Sequence, residues 1–199
     1  MPSDANPDLV GDARARIMES ALAWAASTGL RKLSMDEIAR GARVGRATLY
    51  KYFPGRDALL SAVIERELAR FFAEVRAVTE RYSDPEDRIV HGFAAAYRLL
   101  RDHPAVQPLR RQSPELLVPY VITDSSYALN LGRSFVAEME DDDFPEPQRH
   151  RFAEHFARAY HSLILVPSTV LGLDEPGGAE QYARDFLIPV FRHLREKTA

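Results

Sequence analysis

Basic side chains crowd into one short stretch of the 199-residue chain, between Arg31 and Arg56. The stretch holds seven cations against two acids, a local charge of +5 that leaves −8 for the rest of a chain whose formal net charge is −3. Tyr50 and Tyr52 flank Lys51 and add further donors for phosphate oxygens. Clustered cations release counterions when they bind a polyanion, which favours nucleic acid as a partner. The charged members are Arg31, Lys32, Arg40, Arg43, Arg46, Lys51 and Arg56, with the acids Asp36 and Glu37.

Two short helices and a supporting helix must position these side chains. The supporting helix is predicted from about Asp12 to Ser27, where apolar residues recur at helical spacing, and Gly29 supplies a turn that ends helices. The first short helix starts at a capping box. In that motif Ser34 takes a backbone N–H of the first turn and Glu37 reaches back to the Ser34 amide.

The second short helix is predicted over 46–53, after a turn of about three residues, and a Pro-Gly pair closes the unit. A helix, a tight turn and a second helix are the arrangement that presents a helix to the DNA major groove. Arg46 and Thr48 then lie outward, near base edges, while Leu49 and Phe53 turn back to the core. This spacing alone is a weak signal, and plain helical packing is the alternative interpretation.

The sequence from Leu33 to Leu60 resembles the DNA-binding domain of the TetR family of transcriptional regulators, above all in ATLYKYF followed by RDAL. The resemblance covers about 13–60 and implies an all-α homodimer that binds a palindromic operator. Most such proteins are repressors that are released when a small molecule enters the C-terminal domain. The implied base contacts come from Arg46, Ala47 and Thr48, and the implied phosphate contacts from Ser34, Tyr50, Tyr52 and Arg56, with Lys51 as a further donor.

The turn departs from the family pattern at two positions. Arg43 stands where family members commonly have Gly, and Gly45 stands where they often have Ser. We therefore expect Arg43 in a left-handed conformation, which is uncommon for an arginine. A DNA contact from Arg43 is one explanation and a reshaped turn is the other. Because Gly is acceptable at an N-cap, the recognition helix can still begin at Gly45 or Arg46.

The rest of the chain also reads as helix, so the sequence predicts an all-α protein with two domains. These are an N-terminal three-helix helix-turn-helix DNA-binding domain and a larger C-terminal helical ligand-binding and dimerisation domain. The predicted division is a disordered arm over 1–12, the DNA-binding domain over 13–55 and the second domain over 56–199. Pro119 and Pro167 interrupt apolar patterns, and each predicts a kink or a split. The predicted helices of the second domain are about 56–81, 85–102, 104–111, 114–139, 145–172 and 178–196.

Aromatic and hydrogen-bonding side chains alternate on the central helices, as they do in ligand sites. Plain core packing explains aromatics at helical spacing equally well. The pocket candidates are Phe93, Tyr97, Tyr120, Thr123, Tyr127 and Asn130.

The last two long helices are apolar on more than one side, so each needs a second packing partner. By resemblance to the family, that partner is the same pair of helices in a second subunit. The alternative is that these residues form the core of their own domain. The candidates for the dimer interface are Phe156, Tyr160, Leu163, Phe186 and Val190.

Several other chemistries find no support in the sequence. With zero Cys there is no disulfide, no thiol nucleophile and no cysteine-rich zinc site. His150, His155 and His161 lack the i, i+4 spacing that places two imidazoles on one helix face, and no nucleophile or phosphate-loop motif occurs. We therefore expect no metal, no cofactor and no enzymatic activity. No membrane-spanning run or secretory signal is visible, so the expected location is the cytoplasm.

The sequence thus predicts a DNA-binding transcriptional regulator, a repressor released from its operator by a small apolar or amphipathic ligand. One alternative is an all-helical enzyme or ligand-binding protein with an incidental basic patch. A helical protein-interaction module is the other.

Overall fold

The computed structural model describes residues 7–29, 33–106, 127–137 and 144–196, and these ranges contain helices and no β-strand. The predicted all-α class is confirmed. The first seven helices are α1 (Pro7–Thr28), α2 (Met35–Gly41), α3 (Arg46–Tyr52), α4 (Arg56–Thr79), α5 (Pro85–Asp102), α6 (Tyr127–Ala137) and α7 (Glu146–Leu165). The last helix, α8, runs over 178–196 and consists of Gly178–Tyr182, a π-helical turn at Ala183–Leu187, and Ile188–Glu196.

Two helix boundaries differ from the predicted ones because of proline. α1 begins at Pro7, so residues 7–12 of the expected disordered arm are helical. Proline fits the first helical position, where its missing N–H is not needed. α7 ends at Leu165 instead of near residue 172, because Val166 precedes Pro167 and lies outside helical angles, at φ −125 and ψ 87. Residues 1–6 and most of the helices predicted over 104–111 and 114–139 lie outside the described residues.

The first of two compact units comprises the described residues 7–29, 33–69 and 103–106. Its core draws apolar side chains from α1, α2, α3 and the first half of α4. Leu59 and Val63 of α4 belong to this core, and the division between the two units falls within α4, after residue 69. The completely buried members of this core are Ile17, Ile38, Leu49 and Leu59.

The second unit comprises the described residues 70–102, 127–137 and 144–196. Phe93 on α5 is completely buried, and its ring centroid lies 5.2 Å from that of Tyr182, 5.8 Å from Phe156 and 6.2 Å from Tyr160. The Tyr160 hydroxyl donates to the Ala96 carbonyl at 2.8 Å, and burial raises the pKa of Tyr160 well above its ordinary value. Aromatic packing therefore joins α5, α7 and α8 in one core.

Ion pairs fasten the surface of the second unit. Arg133 on α6 donates to a Glu154 oxygen on α7 at 2.8 Å, and this hydrogen bond lowers the pKa of Glu154. Arg192 on α8 donates through Nε to Glu86 on α5 at 2.7 Å, and that bond lowers the pKa of Glu86. The two pairs connect α6 with α7 and α5 with α8.

Candidate nucleic-acid interface

The start of α2 is fixed by a serine cap. Ser34 has extended angles, φ −107 and ψ 120, and its hydroxyl accepts the Glu37 backbone N–H at 3.4 Å. This half of the predicted capping box is confirmed. The Glu37 carboxylate accepts from Arg40 Nη1 at 2.6 Å, so it pairs along the helix.

Arg43 ends α2 in the left-handed conformation predicted for it, with φ 55. Its backbone N–H donates to the Arg40 carbonyl at 3.1 Å, and the Val44 N–H donates to the Ala39 carbonyl at 3.0 Å. This pair of bonds is the Schellman motif, which satisfies the last carbonyls of a helix and needs a left-handed residue at the position of Arg43. Val44 packs against the first core and completes the motif.

The supporting helix α1 also holds the end of α2, through two residues that the sequence analysis did not single out. Arg16 Nε donates to the Ala42 carbonyl at 3.1 Å, and Ser20 Oγ donates to the Ile38 carbonyl at 3.1 Å. Gly41 permits this approach, because a Cβ there would lie 2.4 Å from Ser20 Oγ. The partners are 26 and 18 positions apart in the chain, so no local pattern indicates these bonds.

The recognition helix α3 presents one polar face and one buried face. It begins after Gly45, which has the extended angles of an N-cap, φ −69 and ψ 151, and makes no side-chain capping bond. Leu49 is completely buried and Phe53 is 3% exposed, as predicted. The exposed side chains of α3 are Arg46, Ala47, Thr48, Tyr50 and Lys51.

Arg46, at the start of α3, is flanked by an acid and an aromatic ring. Its Nη1 lies 3.4 Å from Asp36 Oδ1 on α2, and its Cζ lies 5.7 Å from the centroid of the Tyr50 ring. The Arg46 and Asp36 side chains are 69% and 56% exposed, so other N–H groups of Arg46 can still reach a ligand. In the sequence Asp36 is one of two acids in the basic stretch, and no local pattern pairs it with Arg46.

Arg43 and Lys51 are exposed, and no carboxylate among the described residues pairs with either. Both cations can therefore meet an anion from solvent. Arg31 and Lys32, two further members of the basic stretch, lie outside the described residues.

The remaining candidates for phosphate contacts are half-buried. Ser34 is engaged as the cap of α2, and Tyr52 packs against the first core. Arg56 is the first residue of α4. All three belong to the same unit as α3.

Among the pocket candidates, Phe93 and Tyr97 lie inside the second core, at 0% and 3% exposure. The Tyr97 hydroxyl donates to Asp174 Oδ1 at 3.0 Å. Asn130 is half-buried and accepts a hydrogen bond from Arg133. Phe93 and Tyr97 belong to the second core, and their role in a ligand pocket stays a prediction. Tyr120 and Thr123 lie outside the described residues, and only the backbone of Tyr127, at the start of α6, is described.

The five candidates for a dimer interface divide into two groups. Leu163 is buried at 7% exposure, and Phe156 and Tyr160 pack their rings against Phe93. These three contribute to their own core. Phe186 is 50% exposed on α8, and Val190 is half-buried four residues further on. Phe156, Tyr160 and Val190 are all half-buried against the second core, so Phe186 is the one candidate of the five that is exposed.

No helix in the described part of the chain is long and apolar enough to cross a membrane. No cluster of three or more potential metal-ligating side chains occurs among the described residues.

A capped helix, a Schellman turn and an exposed basic helix held by a third helix define a DNA-binding protein of the helix-turn-helix class. The family model of the bacterial regulatory proteins, tetR family, matches residues 17–63. Residues 17–63 therefore form a DNA-binding domain of the TetR family, and the chain is a DNA-binding transcriptional regulator.

Curated relatives agree with this assignment. The uncharacterized HTH-type transcriptional regulator Rv1255c of Mycobacterium tuberculosis strain H37Rv is 28% identical over 158 residues, which are 79% of this chain and 75% of the relative. The HTH-type transcriptional repressor KstR of the same strain is 25% identical over 169 residues, 82% of this chain and 72% of the relative. EthR of Mycolicibacterium smegmatis is 30% identical over 95 residues, 47% of this chain and 44% of the relative.

Solved structures show the same fold. The TetR family repressor AlkX from Dietzia sp. has a TM-score of 0.66 at 18% identity, over 90% of this chain and 95% of AlkX. The fatty acid degradation regulator FadR from Bacillus halodurans has a TM-score of 0.59 at 17% identity, over 96% of each chain.

Proposed function

We propose that the protein is a homodimeric repressor that binds a palindromic DNA operator and leaves it when a small apolar or amphipathic molecule binds the second unit. The exposed basic face of α3, whose inner face packs in one core with α1 and α2, is the observation that carries the proposal. The relatives of this protein are transcriptional regulators. We therefore propose that the protein regulates transcription, is not an enzyme, and binds DNA in the cytoplasm.

The contacts with DNA divide by the position of each side chain on α3. Arg46, Ala47 and Thr48 lie in its exposed first turn, where a helix entering the major groove meets base edges. Phosphates are met by donors around this turn, which fix the register of the helix without reading sequence. These donors are Ser34, Arg43, Tyr50, Lys51, Tyr52 and Arg56.

The dimer forms through α8 in this proposal. Phe186 shows half of its surface to solvent, and Val190 lies one helical turn further along. A pair of apolar side chains at this spacing forms a stripe that a second copy can cover across a two-fold axis. Two recognition helices related by that axis read the two halves of a palindrome.

An apolar effector fits the composition of the second unit. Phe93 approaches the rings of Tyr97, Phe156, Tyr160 and Tyr182. Phe71, Phe72 and Phe135 extend this aromatic group beyond Tyr160. Two proteins of the same fold are connected with apolar compounds: AlkX is implicated in biodegradation of n-alkanes, and FadR is a fatty acid degradation regulator. We therefore propose a hydrocarbon chain, with or without a polar end, as the effector class.

The first experiment is selection of bound sequences from a random DNA library, followed by titration of the winner against salt. We expect a two-fold palindrome and an affinity that falls steeply with salt, because each neutralised phosphate releases counterions. Arg46→Ala should weaken binding by about 1–3 kcal/mol. Arg81→Ala is the matched control, since Arg81 is an exposed cation of the second unit and should leave affinity unchanged. Failure of the folded protein to enrich any sequence at low salt would overturn the proposal.

The effector is tested separately on the protein–operator complex. Long-chain alkanes and fatty acids should raise the unfolding temperature of the free protein and release a fluorescent operator. Arg46→Ala should lose the operator but keep the thermal shift, because Arg46 lies in the other unit. If neither compound class shifts the unfolding temperature, the hydrocarbon proposal fails while DNA binding stands.

A further inference from the structure

Arg46 is the one exposed cation of α3 that the structure holds from two sides. Asp36, in the first turn of α2, approaches its Nη1 at 3.4 Å, and the Tyr50 ring lies 5.7 Å from its Cζ. Lys51, the other cation of the helix, pairs with no carboxylate of the described residues. Of the two cations of α3, Arg46 is therefore restrained by neighbouring side chains, and Lys51 has no such ion pair among the described residues.

Two contacts restrict the Arg46 guanidinium and still leave some of its N–H donors available. A free arginine side chain samples many rotamers, and ordering it on binding costs affinity. The Asp36 carboxylate near Nη1 and the Tyr50 ring near Cζ reduce that cost, because they favour one placement of the guanidinium. Since Arg46 is 69% exposed, several of its N–H groups still point to solvent.

The chemistry of the remaining N–H groups favours one base. In the major groove, guanine offers two adjacent acceptors, O6 and N7, and arginine donates to both at once. Adenine places an amino donor where guanine has O6, so it cannot accept the same pair of bonds. A guanidinium held in one plane therefore discriminates between purines better than a mobile one.

We propose that Asp36 is a positioning residue that, together with Tyr50, aims Arg46 at a guanine in each half of the operator. This inference rests on the proposed DNA-binding function and adds the base that is read. Asp36 has a second effect, because its carboxylate repels the phosphates of unrelated DNA and lowers non-specific affinity. Both effects raise the ratio of specific to non-specific binding.

The test compares two carboxylates of the same helical turn. Asp36 touches Arg46, whereas Glu37 pairs with Arg40, so Asp36→Ala and Glu37→Ala remove equal charge from the first turn of α2. The measured quantity is the affinity for the selected operator divided by that for an operator with 7-deazaguanine, which lacks only the N7 acceptor. Circular dichroism and thermal unfolding verify that each variant folds. If Asp36→Ala does not fold, Asp36→Asn, which is nearly equal in volume to the wild-type side chain, takes its place in the test.

The wild-type protein should prefer guanine over 7-deazaguanine by roughly 5- to 30-fold at one position of each half-site. Arg46→Ala should abolish that preference, Asp36→Ala should reduce it at least about threefold, and Glu37→Ala should preserve it. Asp36→Ala should also bind unrelated DNA a few-fold more tightly, roughly as expected for one anion removed from the interface.

The outcomes separate the two levels of the proposal. If the wild-type protein selects no operator, the proposed function fails. If it selects one without a guanine preference that depends on Arg46, or if Asp36→Ala and Glu37→Ala behave alike, the assignment of Asp36 is overturned and DNA binding stands.

Discussion

The left-handed Arg43 is a source of strain that can be measured by exchanging one side chain. Holding a non-glycine residue in this region costs about 1–2 kcal/mol, because Cβ crowds the following carbonyl. Glycine avoids that crowding, but its extra freedom in the unfolded chain costs about 0.5–1 kcal/mol. We therefore expect Arg43→Gly to be more stable than Arg43→Ala by about 0.5–1 kcal/mol, since both variants lose the guanidinium and only one keeps Cβ.

The assay is urea unfolding followed by the fluorescence of Trp24. This is the one tryptophan of the chain, and it packs against the first core, so it reports the unit that contains Arg43. The matched control is the same pair of changes at Arg40, which lies in right-handed helix. There the order should reverse, with alanine more stable than glycine by about 1 kcal/mol. The reasoning is refuted if alanine is as stable as glycine at position 43.

DNA binding by the same two variants is an independent readout. Both lose one cation beside α3, so both should bind the operator more weakly, and the salt slope should fall by about one if Arg43 contacts a phosphate. If Arg43→Gly is more stable than Arg43→Ala and binds the operator more weakly than the wild-type protein, the strained Arg43 is retained for its contact with DNA.

Three further predictions concern stability. Gly178→Ala should lower the unfolding free energy by about 2 kcal/mol or more, because the new Cβ would lie 1.8 Å from the Gly172 carbonyl oxygen. Gly132→Ala is the control and should not lower it, since the nearest atom to its new Cβ lies at 3.7 Å. Equal melting temperatures of the two variants would contradict this prediction. Burial lowers the pKa of His161 from 6.5, so the unfolded chain binds the proton first, and stability should fall as the pH drops below about 6.5 toward the folded-state pKa. His161→Gln should flatten that part of the stability curve in urea titrations at pH 5 to 7, and an unchanged slope would exclude His161 as its source. Ser34→Ala should cost about 0.5–2 kcal/mol through the lost cap of α2, whereas Ser34→Thr should keep most of the stability measured by Trp24 fluorescence.

Local chemistry made the helix-turn-helix predictable from sequence. The Ser34 cap, the left-handed Arg43 and the inward Leu49 each follow from residue type and spacing within a few positions, and the structure confirms all three. Only the Ser34 half of the predicted capping box is confirmed, because the Glu37 carboxylate pairs with Arg40. The capping pattern does not indicate that Arg40 competes for the Glu37 carboxylate.

Longer-range contacts escaped the sequence analysis. Arg16 and Ser20 donate to carbonyls that lie 26 and 18 positions away, and the pairing of Asp36 with Arg46 depends on how the turn folds. Periodicity marked Leu163 as apolar, but it could not say whether the side chain faces its own core or a partner. Tertiary packing decides that question, and it places Leu163 inside.

The hydrogen bonds from α1 to the end of α2 determine how long a segment must be exchanged to transfer the helix-turn-helix from one regulator to another. A chimera that exchanges only the two short helices leaves the carbonyls of Ile38 and Ala42 facing the α1 of its host. The Ile38 carbonyl keeps its bond from the Ala42 N–H in any host, but a host without an equivalent of Arg16 leaves the Ala42 carbonyl without this donor. A bulkier α1 also collides at Gly41. The smallest portable cassette therefore extends from α1 through the α4 turns that carry Leu59 and Val63.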